Sequence, residues 1–247
     1  MEVAVILASM DRGALDTTII DNLERLRASL AQAALRAGRR PEDVKLIAVS
    51  KNQPAEAVAA AVAAGQRAFG ENTAQEALTK IPGFAGQGLE WHFIGHLQSN
   101  KAKLVPGYFA WLHSLDSVKL AQRLAHLARE QNTTLSTLIE VNIARGPARH
   151  GVAAEHVAPL LDRLLKENLG GIELRGLMAI GPHPATGAER RAAFAAVREL
   201  RDDCMRRYAL PDFTELSMGM SGDYAEAVEE GSTMVRLGTA IFGQRNQ

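Results

Sequence analysis

One lysine is placed where it could do chemistry. Lys51 closes the short apolar run 45–51, whose β-branched residues predict a buried strand. Because side chains alternate along a strand, Ile47, Val49 and Lys51 share one face. Pro54 follows closely and ends the strand. We therefore expect the Lys51 amine at the carboxyl end of a strand, where α/β proteins place their chemistry. The alternative is a lysine whose stem packs while its amine reaches water.

Two stretches near the end of the chain have the composition of an anion-binding site. They are Ser217–Asp223 (SMGMSGD) and Gly238–Ala240 (GTA). Small residues let backbone N–H groups approach an anion, and the N-terminus of a following helix adds a favourable dipole. A tight turn without a ligand is the alternative. The candidate binding residues in these stretches are Ser217, Met218, Gly219, Ser221, Gly238 and Thr239.

An arginine precedes the second of these stretches. Arg236 shares a strand face with Met234 and Gly238, so it points into the protein if Gly238 points at a ligand. A buried arginine is costly unless it is paired, which predicts an acid or a ligand acceptor beside it. The alternative is an exposed arginine in a strand of different phase.

A lysine amine, a phosphate site and an inward arginine together suit pyridoxal 5′-phosphate (PLP). Lys51 would form a Schiff base with the cofactor aldehyde, and the two glycine- and serine-containing stretches would hold the phosphate. Arg236 would face the pyridine nitrogen and, because it stays charged, would leave that nitrogen unprotonated. An unprotonated ring is a weaker electron sink, which disfavours carbanion chemistry.

These residues need a scaffold, and the pattern of elements predicts one. Eight short apolar runs alternate with helical runs, as in a parallel barrel, and the length of 247 residues fits the roughly 250 of a (β/α)₈ barrel. Asn72 follows the second run and joins the candidate site. We expect an α/β fold with one TIM-barrel domain at 17–247, a first helix from Asp21 to Ala37 and a variable extension at 1–16. The predicted strands are 45–51, 67–70, 91–95, 109–115, 137–143, 173–180, 214–218 and 233–237.

A helix start is predicted near residue 223, because Asp223 and Glu226 are spaced as a capping box.

Composition restricts the partners and the setting. Lys plus Arg and Asp plus Glu both number 28, so no net charge draws the protein to nucleic acid or an anionic membrane. With Cys204 as the one cysteine, no internal disulfide forms, which suits the cytoplasm. No apolar stretch is long enough to span a membrane.

His92 and His96 have metal-site spacing, but no acid or cysteine completes a set, so we expect no metal.

Six stretches carry a resemblance to a known family. The chain resembles the pyridoxal phosphate homeostasis proteins, formerly called proline synthetase co-transcribed proteins, from about residue 21 to 245. Together the six stretches are very specific. They are 46–51 (LIAVSK), 69–72 (FGEN), 91–101 (WHFIGHLQSNK), 175–180 (RGLMAI), 216–221 (LSMGMS) and 231–243 (GSTMVRLGTAIFG).

The resemblance implies a fold and roles for several residues. It implies a barrel similar to the barrel half of alanine racemases and a covalent aldimine on Lys51. It also implies that Ser217, Gly238 and Thr239 hold the phosphate. By the same resemblance Arg236 lies at the ring nitrogen, and Asn72 lies near the cofactor. Members are described as cofactor-binding proteins of vitamin B6 and amino-acid homeostasis, without a settled catalytic activity.

The chain departs from the family pattern in two places. Asn52-Gln53-Pro54 follows Lys51 where the family has Thr-Lys/Gln-Pro, so a basic neighbour is absent. The loop 143–151 lacks the usual acidic, lysine-bearing sequence. An exchange role for this loop does not transfer to this chain.

Three functions stay open at this point. The first is a PLP carrier without robust catalysis, because racemases take a second acid, a tyrosine, from another domain, and we expect none here. The second is a small racemase or lyase with Lys51 as base and His92 or His96 as acid. The third is a phosphosugar or other phosphate-ligand barrel enzyme in which Lys51 has a different role. For the carrier we expect a cytoplasmic monomer or weak dimer and PLP-dependent client enzymes as partners.

Overall fold

The computed structural model describes the backbone of residues 2–143 and 150–243, and side chains from residue 16 onward within these ranges. All strand pairs are parallel, and the strand order β4-β3-β2-β1-β9-β8-β7-β5 closes through β4 and β5. The short strand β6 adds to β5 at the rim. The eight-stranded barrel is therefore confirmed. The strands are β1 (Lys45–Val49), β2 (Ala68–Glu71), β3 (Glu90–Phe93), β4 (Trp111–Leu115), β5 (Leu135–Asn142), β6 (Val152–Ala153), β7 (Ile172–Ala179), β8 (Glu215–Ser217) and β9 (Met234–Leu237).

Helices follow the strands and surround the barrel. The predicted helix near 98–104 is a 3₁₀ helix, Ser99–Leu104, and two more 3₁₀ helices cover Pro41–Asp43 and Ile81–Phe84. No described helix is long and apolar enough to cross a membrane. The α-helices are α1 (Glu2–Arg36), α2 (Ala55–Ala63), α3 (Ala74–Lys80), α4 (Val118–Glu130), α5 (Ala154–Glu167), α6 (Gly187–Tyr208), α7 (Tyr224–Glu229) and α8 (Thr239–Phe242).

The first helix starts earlier than predicted. The expected start at Asp21 is wrong, because α1 begins at Glu2. Amphipathic spacing marks the turns that pack, such as those carrying Leu23 and Leu30, which are buried. It says little about turns that lie before the packed face. The division into an extension at 1–16 and a barrel at 17–247 remains a proposal.

The barrel has two apolar layers. A large layer between strands and helices contains Ala48 and Phe69. A small cluster inside the barrel is formed by Ile47, Ala68, Leu138, Met178 and Met234. Ile47 and Ala48 thus lie on opposite faces of β1, as alternation predicts. The small size of the inner cluster leaves room for polar side chains inside the barrel.

The loop after β8 is held tightly against α7. Gly219 has a φ of +95°, and a Cβ there would lie 2.9 Å from Tyr224 Cα, so this close approach requires glycine. The expected capping box of Asp223 and Glu226 is wrong. The Asp223 carboxylate instead accepts a hydrogen bond from the Met220 N–H at 2.6 Å and caps no α7 N–H. Asp223 therefore closes the loop and does not cap the helix.

Candidate functional site

A cavity of about 500 Å³ lies at the carboxyl ends of the barrel strands. This is the edge where (β/α)₈ barrels place their active sites. Six of the nine predicted site residues line it: Lys51, Asn72, Ser221, Arg236, Gly238 and Thr239. The structure therefore brings the lysine, the arginine and parts of both glycine- and serine-containing loops to one cavity.

The other three predicted residues do not line the cavity. Ser217 and Met218 are fully buried, and the Ser217 hydroxyl accepts a hydrogen bond from Arg236 Nη1 at 2.6 Å. The Gly219 carbonyl accepts from the backbone N–H of Arg236 at 3.0 Å. Ser217 and Gly219 thus contact Arg236 but do not line the cavity themselves.

Lys51 lies in a turn just after β1. The Gln53 N–H donates to the Ser50 carbonyl at 3.0 Å, and Asn52 has a φ of 58°, a left-handed conformation that asparagine tolerates. Within the described part of the chain, Lys51 makes no hydrogen bond or ion pair, whereas Lys45 is paired with Glu90 at 2.6 Å. The turn therefore presents to the cavity a lysine amine that none of the described residues pairs with.

A buried lysine holds the turn from behind. Lys80 Nζ donates to the Ser50 carbonyl at 2.8 Å and the Gln53 carbonyl at 3.3 Å. It also pairs with Glu71 at 2.7 Å and Glu76 at 3.0 Å. Burial raises the pKa of Glu71, and the hydrogen bonds from Lys80 and Ser50 oppose this. The Lys80 cluster (Lys80, Glu71 and Glu76) thus anchors both ends of the turn that carries Lys51.

Arg236 points into the barrel, as its strand phase predicts. Nη1 donates to the carbonyl and hydroxyl of Ser217, and Nη2 donates to the Ala179 carbonyl at 3.0 Å. Burial lowers its pKa to about 10, so it remains charged at neutral pH. A guanidinium has five N–H groups, and the described residues accept from three of them. The Nε–H and the second Nη2–H have no acceptor among the described residues, and Arg236 lines the cavity.

The two glycine- and serine-containing loops meet at their hydroxyls. Thr239 Oγ1 lies 3.2 Å from Ser221 Oγ. Gly238 precedes α8, and its carbonyl accepts from the Ile241 and Phe242 N–H groups at 2.9 Å, so the helix-start donors left for a ligand are the N–H groups of Thr239 and Ala240. The loops after β8 and β9 thus present hydroxyl and N–H donors to one side of the cavity.

Asn72 reaches the cavity because a glycine packs against it. A Cβ at Gly95 would lie 2.1 Å from the Asn72 carbonyl oxygen. No other residue fits there without moving the Asn72 backbone, so Gly95 sets the position of this part of the rim.

His92 and His96, the two histidines with metal-site spacing, lie in different parts of the barrel. His92 lies fully buried inside the barrel, with Nε2 2.7 Å from Glu90 and Nδ1 2.9 Å from His113. His96 lines the cavity, and its ring stacks on that of His150 with 3.8 Å between centroids. Among the described residues no group of three potential metal ligands comes together. The His92 side chain does not reach the cavity, so it cannot act there as an acid.

The sequence interpretation missed Glu140. This glutamate lines the cavity, and burial raises the pKa of its carboxyl group. Alternation could have revealed it, since Asn142 ends the same strand and Glu140 shares its face. His150 was also missed. Most of the divergent loop predicted at 143–151, residues 144–149, lies outside the described residues.

Comparison with known proteins identifies relatives along nearly the whole chain. The sequence pattern of the alanine racemase N-terminal domain matches residues 21–246. A pyridoxal phosphate homeostasis protein from Pseudomonas aeruginosa is 44% identical over 230 residues, which cover 93% of this chain and 97% of the relative. The protein of that name from Escherichia coli is 42% identical over 234 residues, which cover 92% and 97%.

Solved structures agree with this assignment. PipY of Synechococcus elongatus, solved without PLP, is 40% identical with a TM-score of 0.82, covering 91% of this chain and 100% of PipY. PipY has also been solved with PLP bound. Alanine racemase of Corynebacterium glutamicum is 20% identical with a TM-score of 0.67, covering 94% of this chain and 62% of the racemase, which supports the fold alone. The resemblance is confirmed, and the chain belongs to the pyridoxal phosphate homeostasis protein family, with an alanine racemase N-terminal domain fold.

Proposed function

We propose that this protein binds PLP as a Schiff base on Lys51. It thereby takes part in intracellular PLP and amino-acid homeostasis, without robust catalysis of its own. One observation carries this proposal: a Lys51 amine with no partner among the described residues shares a cavity with a buried, charged Arg236 and the joined loops after β8 and β9. Family membership and the PLP-bound structure of PipY support it.

The residues present fit the cofactor. When bound, PLP supplies an aldehyde that condenses with a primary amine and a phosphate that needs several donors. Lys51 provides the amine, and the hydroxyls of Ser221 and Thr239 with the N–H groups of Thr239 and Ala240 provide donors for an anion. Arg236 provides two N–H groups without an acceptor among the described residues, and a charge that stays on the arginine. The Ser217 hydroxyl is already engaged with Arg236, so we assign Ser217 to that contact and not to the phosphate.

The proposal that the protein lacks robust catalysis rests on where the candidate acids lie. Tyr224 is the tyrosine closest in sequence to the phosphate loops, but its hydroxyl lies 2.9 Å from Ser29 Oγ on α1. His92 is enclosed in the barrel. Neither residue is placed to deliver a proton to a ligand beside Lys51.

A small racemase or lyase is the second candidate, and a specific observation favours it. Glu140 and His96 both line the cavity with Lys51, so an acid and a base are available at one site. Racemisation or elimination of an amino acid by the pure protein, lost in Lys51→Ala, would select this candidate over the carrier.

The experiment that tests the proposal is an absorbance spectrum with added PLP. Wild type, Lys51→Ala and the control Lys119→Ala, which removes an exposed lysine from α4, are compared before and after borohydride reduction. We expect a visible Schiff-base band that reduction traps in the wild type and the control, and no band in Lys51→Ala. No band in the wild type would overturn the proposal and leave a phosphate-binding barrel, such as a phosphosugar enzyme.

The setting and partners form the last part of the proposal. We propose a cytoplasmic monomer or weak dimer that exchanges PLP with PLP-dependent client enzymes. Cys204, the one cysteine in the sequence, is free and buried, which suits a reducing compartment. Sedimentation at several concentrations, and reactivation of a PLP-free client enzyme by the loaded protein, test these statements.

A further inference from the structure

A chain of hydrogen bonds crosses the interior of the barrel from Arg236 to the opposite edge. Arg236 Nη1 lies 2.6 Å from Ser217 Oγ, which lies 2.9 Å from His113 Nδ1. His113 Nε2 lies 2.9 Å from His92 Nδ1, and His92 Nε2 lies 2.7 Å from Glu90 Oε1. Four consecutive contacts thus connect a residue of the cavity to a carboxylate at the start of β3.

The chemistry of the two ends decides where every proton lies. Arginine can only donate, and an ionised carboxylate can only accept. With neutral histidines, Arg236 therefore donates to Ser217, the Ser217 hydroxyl donates to His113 Nδ1, and His113 Nε2–H donates to His92 Nδ1. His92 Nε2–H then donates to Glu90. Every hydrogen bond of the chain runs in one direction, away from the cavity.

The surroundings support these protonation states. His92 and His113 are fully buried, and burial lowers the pKa of His92 and lowers that of His113 well below its usual value. Burial alone would raise the pKa of Glu90, but hydrogen bonds from His92 and Lys45 bring it to about 2. Neutral imidazoles between a guanidinium and a carboxylate match the assignment.

The direction in which the hydrogen bonds donate determines how Ser217 contacts Arg236. Because Ser217 gives its proton to His113, its lone pairs face the guanidinium. In the reverse direction His113 and Arg236 would both donate to Ser217, and the buried Ser217 proton would lose its acceptor. A fixed direction thus keeps Nη1 on Ser217 and leaves the two free N–H groups for the cavity.

We propose that Glu90, His92, His113 and Ser217 are positioning residues for Arg236. Glu90, at the far edge of the barrel, sets the direction of the chain and so the orientation in which Arg236 meets a ligand. This inference rests on the proposed function for the identity of the ligand, PLP. The chain of hydrogen bonds itself is present in the protein without a ligand.

The first arm of the test uses protein without ligand. Nitrogen-15 NMR of the imidazole rings reports which nitrogen carries the proton. We expect His92 and His113 to be neutral and protonated at Nε2 at pH 7. A proton on Nδ1 of His113 would overturn the inference, whatever the protein binds.

The second arm compares Glu90→Gln with two controls. Glu173→Gln changes a carboxylate at the start of β7 that pairs with Arg175 and takes no part in the chain. Lys45→Gln removes the other partner of Glu90 and leaves the carboxylate in place. For Glu90→Gln we expect a shifted wavelength of the PLP band, altered His113 nitrogen shifts and PLP affinity weaker by roughly three- to tenfold, the range for one weakened hydrogen bond.

The outcomes separate this inference from the proposed function. If the wild type forms no Schiff base, the proposed function fails, and the NMR arm still decides the inference. If the wild type binds PLP and Glu90→Gln matches both controls in spectrum and nitrogen shifts, the inference fails alone. Glu90 is only partly buried, so we expect the variant to fold, and a circular dichroism melt verifies this.

Discussion

The hydroxyl groups of Ser221 and Thr239 lie 3.2 Å apart, although the two residues are 18 positions apart in the chain. They come from the loops after β8 and β9, which are the usual phosphate site of a (β/α)₈ barrel. Both line the cavity with Lys51. This contact joins the two loops into one donor surface.

The first prediction concerns these hydroxyls. We expect Ser221→Ala and Thr239→Val each to weaken PLP binding by about tenfold or more, since hydrogen bonds to a charged group contribute roughly 1.5–3 kcal/mol. Binding of pyridoxal, which lacks the phosphate, is expected to stay unchanged in both variants. Titration of the Schiff-base absorbance with each compound measures this. The control is Ser29→Ala, which removes a hydroxyl of α1 that contacts the Tyr224 hydroxyl and does not line the cavity. Equal losses for PLP and pyridoxal would contradict a phosphate site here.

The second prediction concerns the Lys80 cluster. Lys80→Met leaves Glu71, which is fully buried, without its cation. We expect the free energy of unfolding to fall by roughly 3–5 kcal/mol, the usual loss when one partner of a buried pair is removed. Urea denaturation measures it. Folded Lys80→Met is also expected to bind PLP more weakly, because the turn of Lys51 loses two hydrogen bonds.

A double variant provides the control for this prediction. Lys80→Met with Glu71→Gln removes both charges, so we expect it to recover part of the lost stability. If the single variant loses less than about 1 kcal/mol, the cluster does not anchor the turn.

The sequence predicts the scaffold better than the contacts inside it. The eight strands follow from apolar runs such as 45–51, because a buried strand needs side chains on both faces that exclude water. Arg236 was assigned to the interior correctly, since the period of two determines the face of every residue on a strand. Periodicity is a local property, and it places residues on faces without telling which of them touch.

The missed residues depend on contacts between distant parts of the chain. His113 and Ser217 are 104 residues apart, and nothing in the order of residues pairs them. The resemblance implies a phosphate role for Ser217, and the sequence gives no sign that its hydroxyl contacts Arg236 and His113. The Asp223 side chain likewise bonds to the loop and not to the helix it precedes. Such choices between partners depend on side-chain packing in the folded barrel, which a local sequence pattern does not contain.

The third prediction concerns Glu140. Burial raises the pKa of this carboxyl group. A raised pKa means that the native state is favoured at low pH and loses stability as the pH rises from 4.5 through the raised value. We therefore expect Glu140→Gln to gain stability relative to the wild type at pH 8 and little at pH 4. Urea denaturation at both values measures the difference. A gain that is equal at both pH values would show that Glu140 is not perturbed.

The fourth prediction concerns acid unfolding and Glu90. The pKa of Glu90 is lowered to about 2, so its contribution to stability is present above 4.5 and is lost as the pH falls toward 2. The lowered pKa values of His92 and His113 act in the same direction, because stability falls once the pH drops below 6.5. We expect the free energy of unfolding of the wild type to exceed that of Glu90→Gln by up to about 1 kcal/mol at pH 7, a modest value because Glu90 is partly exposed and screened.

Urea denaturation at pH 7, 4.5 and 3 should show this difference shrinking as the pH falls, while Glu173→Gln shows no such trend. An advantage that grows with acid would mean that the Glu90 carboxylate does not accept from His92 and Lys45.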